Sequence, residues 1–148
     1  MTRILFICHG NICRSVMAEC VMTDLVMRRG ARERFQIASA AVSREELGDP
    51  IYPPARRTLN EHGIPVLPHR ARQITPADYE KFDWLIGMDE SNLRGMRRVF
   101  GGDAAGKCRL LLPGREVADP WYTGNFETAF CDVLAGCEAL LNELDGAD

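Results

Sequence analysis

Apolar residues along the chain form two kinds of pattern, and each kind predicts a different element. Residues 4–7 are all apolar, which is typical of a strand buried on both faces of a sheet. Residues 126–144 place apolar side chains three and four positions apart, which predicts an amphipathic helix. Strands are predicted at 4–7, 35–39, 83–88 and 109–112, and helices at 15–29, 55–62, 89–100 and 126–144.

Short polar segments separate these elements. Thr75 and Pro76 predict the start of one more helix, with Thr75 as its N-cap and Pro76 in its first turn. Residues 113–123 are predicted to be a loop. Segment 101–108 is similar in its letters to a nucleotide-binding loop, but it follows a helix, precedes a strand and lacks the terminal Ser or Thr. We therefore predict a turn there.

The alternation of strands and helices predicts an α/β fold. We expect a single domain over residues 1–148, with a four-stranded parallel sheet and helices on both faces. Ligands of such sheets bind at the carboxyl ends of the strands. Cys8 directly follows the first predicted strand and Asp119 comes after the last one, so both are expected at that edge.

Composition narrows the class of protein. The 148 residues are 46% hydrophobic and 26% charged with a net charge of −3, which is typical of a globular domain. No basic stretch suits nucleic-acid binding, and no apolar run is long enough to cross a membrane. Six cysteines without a signal peptide predict a cytoplasmic protein with free thiols, although export without a signal stays open. No C-x-x-C pair is present, so we expect neither a metal nor another cofactor.

The most informative segment is the loop 8–15, Cys-His-Gly-Asn-Ile-Cys-Arg-Ser, between the first strand and the first helix. Backbone N–H groups of such a loop converge on one anion, and the N-terminus of the next helix adds positive charge. The same field favours a thiolate at Cys8, which makes it a nucleophile. Arg14 can hold two phosphoryl oxygens with its planar guanidinium, and Ser15 can donate a hydrogen bond to the Cys8 sulfur. The loop predicts phosphoryl transfer through a cysteine.

Such a reaction also needs an acid that protonates the leaving oxygen. Asp119 is the predicted acid, because it lies in a loop, is followed by a proline and is flanked by aromatic residues. Trp121 and Tyr122 follow it directly, and we predict that they line a slot for a phenyl ring.

The chain resembles the low-molecular-weight protein tyrosine phosphatases over essentially its whole length. The resemblance is carried by ICHGNICRS at 7–15, SAA at 39–41, GDP at 48–50, HRARQIT at 69–75, MDESNL at 88–93 and DPWYTGNFET at 119–128. It implies hydrolysis of protein phosphotyrosine through a phosphocysteine. In this family the residue matching Cys8 is the nucleophile, that matching Arg14 binds the phosphoryl group, and that matching Asp119 is general acid and then general base.

The resemblance also implies which residues bind phosphate or hold the loop: His9, Gly10, Asn11, Ile12, Cys13, Ser15, Ser39 and His69. Asn11 is expected in a left-handed conformation supported by Ser39 and His69, and Asn tolerates that conformation better than most residues. The implied partners are tyrosine-phosphorylated proteins, a tyrosine kinase being one candidate, and neither nucleic acid nor a membrane. The expected state is a monomer or a weak dimer.

Three positions depart from the family's pattern. His9 stands where the family usually has an aliphatic residue, and Val16 where it usually has proline. Many members carry an aromatic residue at the rim after the second strand, whereas residues 44–46 are Arg-Glu-Glu here. The preference among phosphotyrosine peptides therefore stays open.

Other functions of the same fold are alternatives. A protein-arginine phosphatase carries Thr where this loop has Ile12, and an apolar side chain suits a phenyl ring better than a guanidinium. A thioredoxin-coupled arsenate reductase needs two further cysteines in the middle of the chain, and none lies between Cys20 and Cys108. A non-catalytic phosphoprotein-binding module would not need the nucleophile, the arginine and the acid together.

A second thiol in the loop, Cys13, has two interpretations. It is either a small residue that fills the base of the loop or a thiol that captures an oxidised Cys8 as a disulfide. Family members with this cysteine pair behave in the second way.

Overall fold

Four parallel strands form one sheet in the computed structural model, which describes residues 1–145. The strands are β1 (Thr2–Cys8), β2 (Phe35–Ala41), β3 (Trp84–Gly87) and β4 (Cys108–Leu110), in the spatial order β2-β1-β3-β4. The helices are α1 (Arg14–Arg28), α2 (Pro53–Glu61), α3 (Ala77–Lys81), α4 (Glu90–Phe100), α5 (Pro120–Thr123) and α6 (Phe126–Leu144). The predicted fold class and the parallel sheet are confirmed.

Strand β1 lies in the middle of the sheet and is buried on both faces. It pairs with β2 in the register Ile4 with Ile37, and with β3 in the register Ile4 with Trp84. Ile4 and Phe6 pack with side chains of α1, α2 and α6, whereas Leu5 and Ile7 pack with side chains of α4 on the other face. Because successive strand residues point to opposite faces, this division confirms the predicted helices on both sides.

The helix near residue 75 begins differently from the prediction. Its first residue is Ala77, and no side chain caps it. The Thr75 side chain accepts no capping hydrogen bond, and the Thr75 backbone N–H instead donates to Asp78 Oδ2 at 2.8 Å. The Asp78 carboxylate is buried and also pairs with Arg72 at 3.1 Å. A charged network inside the protein therefore fixes this turn in place of a threonine cap.

Two further predictions near the C-terminal half were wrong in their boundaries. Strand β4 ends at Leu110. The next residue, Leu111, packs so closely against Gly136 of α6 that a Cβ at position 136 would lie 2.5 Å from Leu111 Cγ. The predicted loop 113–123 contains the short helix α5, which Pro120 begins. Within residues 1–145, no helix has both the length and the apolar character that a membrane span requires.

Candidate active site

The loop 8–15 joins the carboxyl end of β1 to the start of α1, and Asn11 sets its curvature. Asn11 has φ of 60°, the left-handed conformation that the sequence predicted. Its carbonyl accepts a hydrogen bond from His69 Nε2 at 2.6 Å, and its side-chain oxygen accepts one from the backbone N–H of Arg72 at 3.2 Å. Its amide nitrogen donates to Ser15 Oγ at 2.8 Å. Through these three hydrogen bonds, Asn11 connects the loop to the start of α1 and to residues 69 and 72 of the segment before α3.

Cys8 lies at the base of this loop with its sulfur beside Ser15. The Cys8 Sγ atom is 2.9 Å from Ser15 Oγ and accepts a longer hydrogen bond from the Ser15 backbone N–H at 3.4 Å. Because Asn11 already donates to Ser15 Oγ, the hydroxyl proton of Ser15 is free to point at the sulfur. This arrangement stabilises negative charge on Cys8.

Arg14 is a buried guanidinium whose partners come from distant parts of the chain. Its Nη1 donates to Asp89 Oδ2 and to the Val117 carbonyl, each at 2.8 Å, and its Nη2 lies 3.4 Å from Asp119 Oδ2. Burial alone lowers the pKa of Arg14, but the negative charges of Cys8 and Asp119 and the hydrogen bond to Asp89 raise it above its usual range. The cation is thus fixed in position and in charge.

Asp89 holds Arg14 and also begins α4. Its Oδ1 accepts a hydrogen bond from the Asn92 backbone N–H at 2.8 Å, and Asn92 Oδ1 accepts one from the Asp89 backbone N–H at 3.2 Å. This capping box leaves Asp89 Oδ2 for Arg14. Sequence reasoning missed this pairing. An Asp directly after a buried strand, with Asn three residues on, is the signal that could have found it.

Asp119 is the N-cap of the short helix α5. Its Oδ1 accepts a hydrogen bond from the Trp121 backbone N–H at 3.1 Å, while its Oδ2 faces Arg14. The side chain is largely but not fully buried, with 22% exposed. The carboxyl group is therefore aimed at the loop 8–15 and can still be reached from the solvent side.

Most of the predicted site residues line one cavity of about 130 Å³. They are Cys8, His9, Gly10, Ile12, Cys13, Arg14, Asp119, Trp121 and Tyr122. Glu45 and Glu46 line the same cavity. Asn11, Ser15, Ser39 and His69 are absent from its lining, and the first two are buried beneath it. Within residues 1–145, no group of three His, Cys, Asp or Glu side chains is arranged to hold a metal ion.

Comparisons with known proteins agree with this geometry. The model of the low molecular weight phosphotyrosine protein phosphatases matches residues 3–147. The chain belongs to this family. It is 35% identical to the low molecular weight protein-tyrosine-phosphatase YfkJ of Bacillus subtilis, over 95% of this chain and 94% of that one. It is 37% identical to the Homo sapiens low molecular weight phosphotyrosine protein phosphatase over the same shares.

Solved structures are similar to this low molecular weight phosphatase over nearly all of its length. The crystal structure of YfkJ superposes with a TM-score of 0.94 over 99% of this chain and 96% of that one, at 33% identity. A structure titled as a drosophila arginine phosphatase superposes with a TM-score of 0.84 over 100% of both chains, at 26% identity. The fold alone therefore does not separate the two phosphatase types.

One predicted support of the phosphatase loop is wrong. Ser39 is not hydrogen-bonded to Asn11; its hydroxyl donates to Glu19 Oε1 at 2.5 Å. The side chain of Asn11 is already satisfied by Ser15 and Arg72. Burial raises the pKa of Glu19, while the Ser39 hydrogen bond and the positive charges of His69 and Arg72 act against that rise. The Ser39 hydroxyl thus stabilises the Glu19 carboxylate of α1 and not the Asn11 conformation.

An aromatic residue of the rim was not predicted. The ring of Tyr52, at the start of α2, lies 4.8 Å from that of Trp121 and 5.9 Å from that of Phe126. The Tyr52 backbone N–H also donates to the Ile12 carbonyl at 2.9 Å. Tyr52 therefore connects the phosphate loop to the segment that carries Asp119. No local pattern in the sequence signals a contact over such a separation.

Proposed function

We propose that this phosphatase hydrolyses protein phosphotyrosine through a phosphocysteine at Cys8. The observation that carries the proposal is the convergence of the Cys8 sulfur, the Arg14 guanidinium and the Asp119 carboxyl at one cavity. These are the three groups that the reaction requires: a nucleophile, an anion clamp and a general acid.

In the first step the Cys8 thiolate attacks phosphorus, and the bond from phosphorus to the phenolic oxygen breaks. Asp119 gives its proton to that oxygen, so tyrosine leaves as a neutral phenol. Both Nη1 hydrogens of Arg14 are taken by Asp89 and Val117. The Nε and Nη2 edge is the part of its fork left to bind two phosphoryl oxygens as charge develops.

In the second step water attacks the phosphorus of phosphocysteine, and the phosphorus–sulfur bond breaks. Asp119, now ionised, takes a proton from that water. Ser15 stabilises the departing thiolate through its hydroxyl, which is 2.9 Å from the sulfur. The products are inorganic phosphate and the free Cys8 thiolate.

The lining of the cavity favours a phenyl ring. Ile12 is apolar and lines the cavity beside the nucleophile, and the half-exposed ring of Trp121 and the exposed ring of Tyr122 stand at its mouth. The aliphatic side chain of Ile12 packs against a phenyl group better than against a charged guanidinium, which supports phosphotyrosine over phosphoarginine.

The test is a panel of matched phosphotyrosyl, phosphoseryl and phosphoarginyl peptides, with arsenate reduction measured in parallel and EDTA present throughout. We expect turnover of the phosphotyrosyl peptide alone. Cys8→Ser removes the thiolate, and Arg14→Lys removes the bidentate fork, so both variants should lose turnover. Phosphoarginine turnover above phosphotyrosine turnover, or an active Cys8→Ser enzyme, would reject the proposal.

We further propose that Cys13 protects Cys8 from irreversible oxidation. Peroxide converts the Cys8 thiolate to a sulfenic acid and releases hydroxide; the Cys13 sulfur then attacks it, loses its proton, and a disulfide forms as water leaves. Burial raises the pKa of Cys13, and the negative charge of Cys8 raises it further. Oxidation of Cys8 removes that charge but leaves the larger effect of burial, so what supports the capture is that both thiols line the same cavity.

The redox proposal is tested by a peroxide pulse followed by dithiothreitol. Wild-type activity should return, whereas Cys13→Ser should be active before the pulse and stay inactive after it. Cys131→Ser, which alters an exposed thiol of α6, is the matched control and should recover like the wild type. Equal recovery of Cys13→Ser and wild type would remove the protective role.

A further inference from the structure

The loop 42–49, which follows β2, forms one wall of the active-site cavity. Its backbone is tied to the nucleophile loop: the Val42 N–H donates to the Cys8 carbonyl at 2.9 Å, and the Ser43 N–H donates to the His9 carbonyl at 3.0 Å. Its other end is fixed where the Gly48 N–H donates to the Ala71 carbonyl at 2.8 Å. The side chains on this wall therefore have defined positions relative to Cys8.

Two carboxylates of this wall line the cavity itself. Glu45 forms an ion pair with His9, the residue next to the nucleophile. The stem of Glu46 lies against Gly10, where a Cβ would be 3.1 Å from Glu46 Cγ. Glycine at position 10 thus leaves the room that Glu46 occupies at the mouth.

This wall is negatively charged, whereas a phosphate dianion alone would favour positive charge around the cavity. Glu45, Glu46 and Asp49 lie on this loop together with the exposed Arg44, and Glu45 pairs with His9 of the nucleophile loop. A hydrogen bond with Asp49 raises the pKa of Glu46, as do burial and the negative charges of Asp49 and Glu45, while His9 lowers it. Apart from that hydrogen bond, the negative charges of Asp49 and Glu45 act unfavourably on an ionised Glu46, and a cation at the mouth would offset that repulsion.

We infer that Glu45 and Glu46 select phosphotyrosine sites that have Lys or Arg directly beside the phosphotyrosine. This inference rests on the proposed function. Cys8 is buried at the base of the cavity, so the substrate's ring must enter while its main chain stays at the mouth. The Cα atoms of neighbouring residues are about 3.8 Å apart, and the long, flexible side chains of Lys and Arg can reach from there across the mouth to the acidic wall.

The expected preference is moderate, because the pairs form at an exposed rim. Exposed ion pairs are individually weak. If basic residues of the peptide pair with both Glu45 and Glu46, kcat/KM should be about five- to tenfold higher for a basic peptide than for an acidic one. Screening by salt should reduce the ratio.

The experiment uses three peptides of equal length, in which the phosphotyrosine is flanked by Lys, Gln or Glu. We expect the wild-type kcat/KM to fall in that order. Glu45→Gln and Glu46→Gln should each reduce the ratio of the Lys to the Glu peptide, and the double variant should bring it close to one. Because the ratio is measured within one enzyme, a general loss of activity does not imitate the effect.

Glu138→Gln is the matched control, since it removes one exposed carboxylate that lies about 18 Å along α6 from the first residue of that helix, Phe126. The kcat/KM ratio of the Lys to the Glu peptide should equal that of the wild type. His9→Gln removes the residue that pairs with Glu45, so the Lys-to-Glu peptide ratio of this variant should rise.

A wild-type ratio near one, or a ratio unchanged in both the Glu45→Gln and the Glu46→Gln variant, would overturn the inference. Para-nitrophenyl phosphate separates the two proposals. If the enzyme hydrolyses it but the kcat/KM ratio of the Lys to the Glu peptide is one, only the selection of basic sites is rejected. If the enzyme hydrolyses neither it nor any phosphotyrosyl peptide, the proposed function is rejected.

Discussion

The phosphate loop and the rim both face the substrate cavity, but they are held in different ways. Asn11, Arg14 and Ser15 of the loop are at most 2% exposed. Asn11 and Arg14 are fixed by hydrogen bonds to distant segments, and Ser15 by hydrogen bonds to Asn11 and Cys8 within the loop. At the rim, 50% of Trp121 and 81% of Tyr122 is exposed, and the acidic wall pairs through a surface histidine. The loop is built as part of the interior, whereas the rim is built as part of the surface.

This difference determines what a substitution does. Removing one partner of a buried charge leaves the other uncompensated, at a cost of about 3–5 kcal/mol, whereas an exposed pair contributes about 1 kcal/mol or less. A change in the loop should therefore damage the reaction for every substrate alike. A change at the rim should alter the ratio between substrates, because it affects only those that reach it.

Asp119 lies between the two regions and gives the largest expected effect. Asp119→Asn removes the proton donor, so kcat should fall about 10²- to 10⁴-fold for aryl phosphates with poorly acidic leaving phenols. The loss should shrink as the leaving phenol becomes more acidic, since such a phenol needs no proton. The measurement is kcat across a leaving-group series for both enzymes. A loss that is independent of the leaving group would assign Asp119 to the phosphate loop's electrostatics and not to acid catalysis.

The sequence could predict that the loop 8–15 and Asp119 lie together at one edge of the sheet, because the signals for both are local. The segment 8–15 contains the proposed nucleophile, the turn residues and the proposed clamp within eight positions, and Asp119 is followed at once by a proline and two aromatic residues. The alternation of strands and helices predicted the sheet for the same reason, because residues 4–7 have no polar position and must be buried. Local patterns were sufficient wherever one segment carries the whole function.

Contacts between distant segments could not be predicted in this way. Asp89 meets Arg14 across 75 residues, and Ser39 meets Glu19 because the strand and the helix are packed together. Tyr52 reaches Trp121 only after α2 and α5 are both in place. These contacts depend on how the elements pack in three dimensions, and no pattern along the sequence indicates which residue is the partner of which.

Asp89 tests the loop side of the comparison. Asp89→Asn keeps a good N-cap for α4 but removes the negative charge that orients Arg14. A hydrogen bond to a charged group contributes about 1.5–3 kcal/mol, so kcat/KM should fall about 10- to 100-fold. The fall should be equal for the basic and the acidic phosphotyrosyl peptides, and the unfolding temperature should fall as well, because the buried Arg14 loses a negatively charged partner.

The matched control for that variant is Asp132→Asn. Asp132 pairs with Arg115 at 2.8 Å, the same distance as the Arg14–Asp89 pair, but Arg115 is exposed. We expect its kcat/KM to stay at the wild-type value. If Asp89→Asn lowered activity for one peptide and spared another, the buried loop would be taking part in selection and the comparison would fail.

Tyr52 tests the rim side and gives the smallest expected effect. Tyr52→Leu removes the ring that packs on Trp121, whose backbone N–H holds Asp119 Oδ1. An aromatic pair contributes about 0.5–1.5 kcal/mol, so kcat should fall about two- to tenfold through a less well-positioned acid. Tyr52→Phe keeps the ring and should restore the wild-type value. The loss should be larger for poorly acidic leaving phenols, which a purely structural role would not produce. An equal loss for all leaving groups, with a lower unfolding temperature, would place Tyr52 in the supporting core and not at the rim.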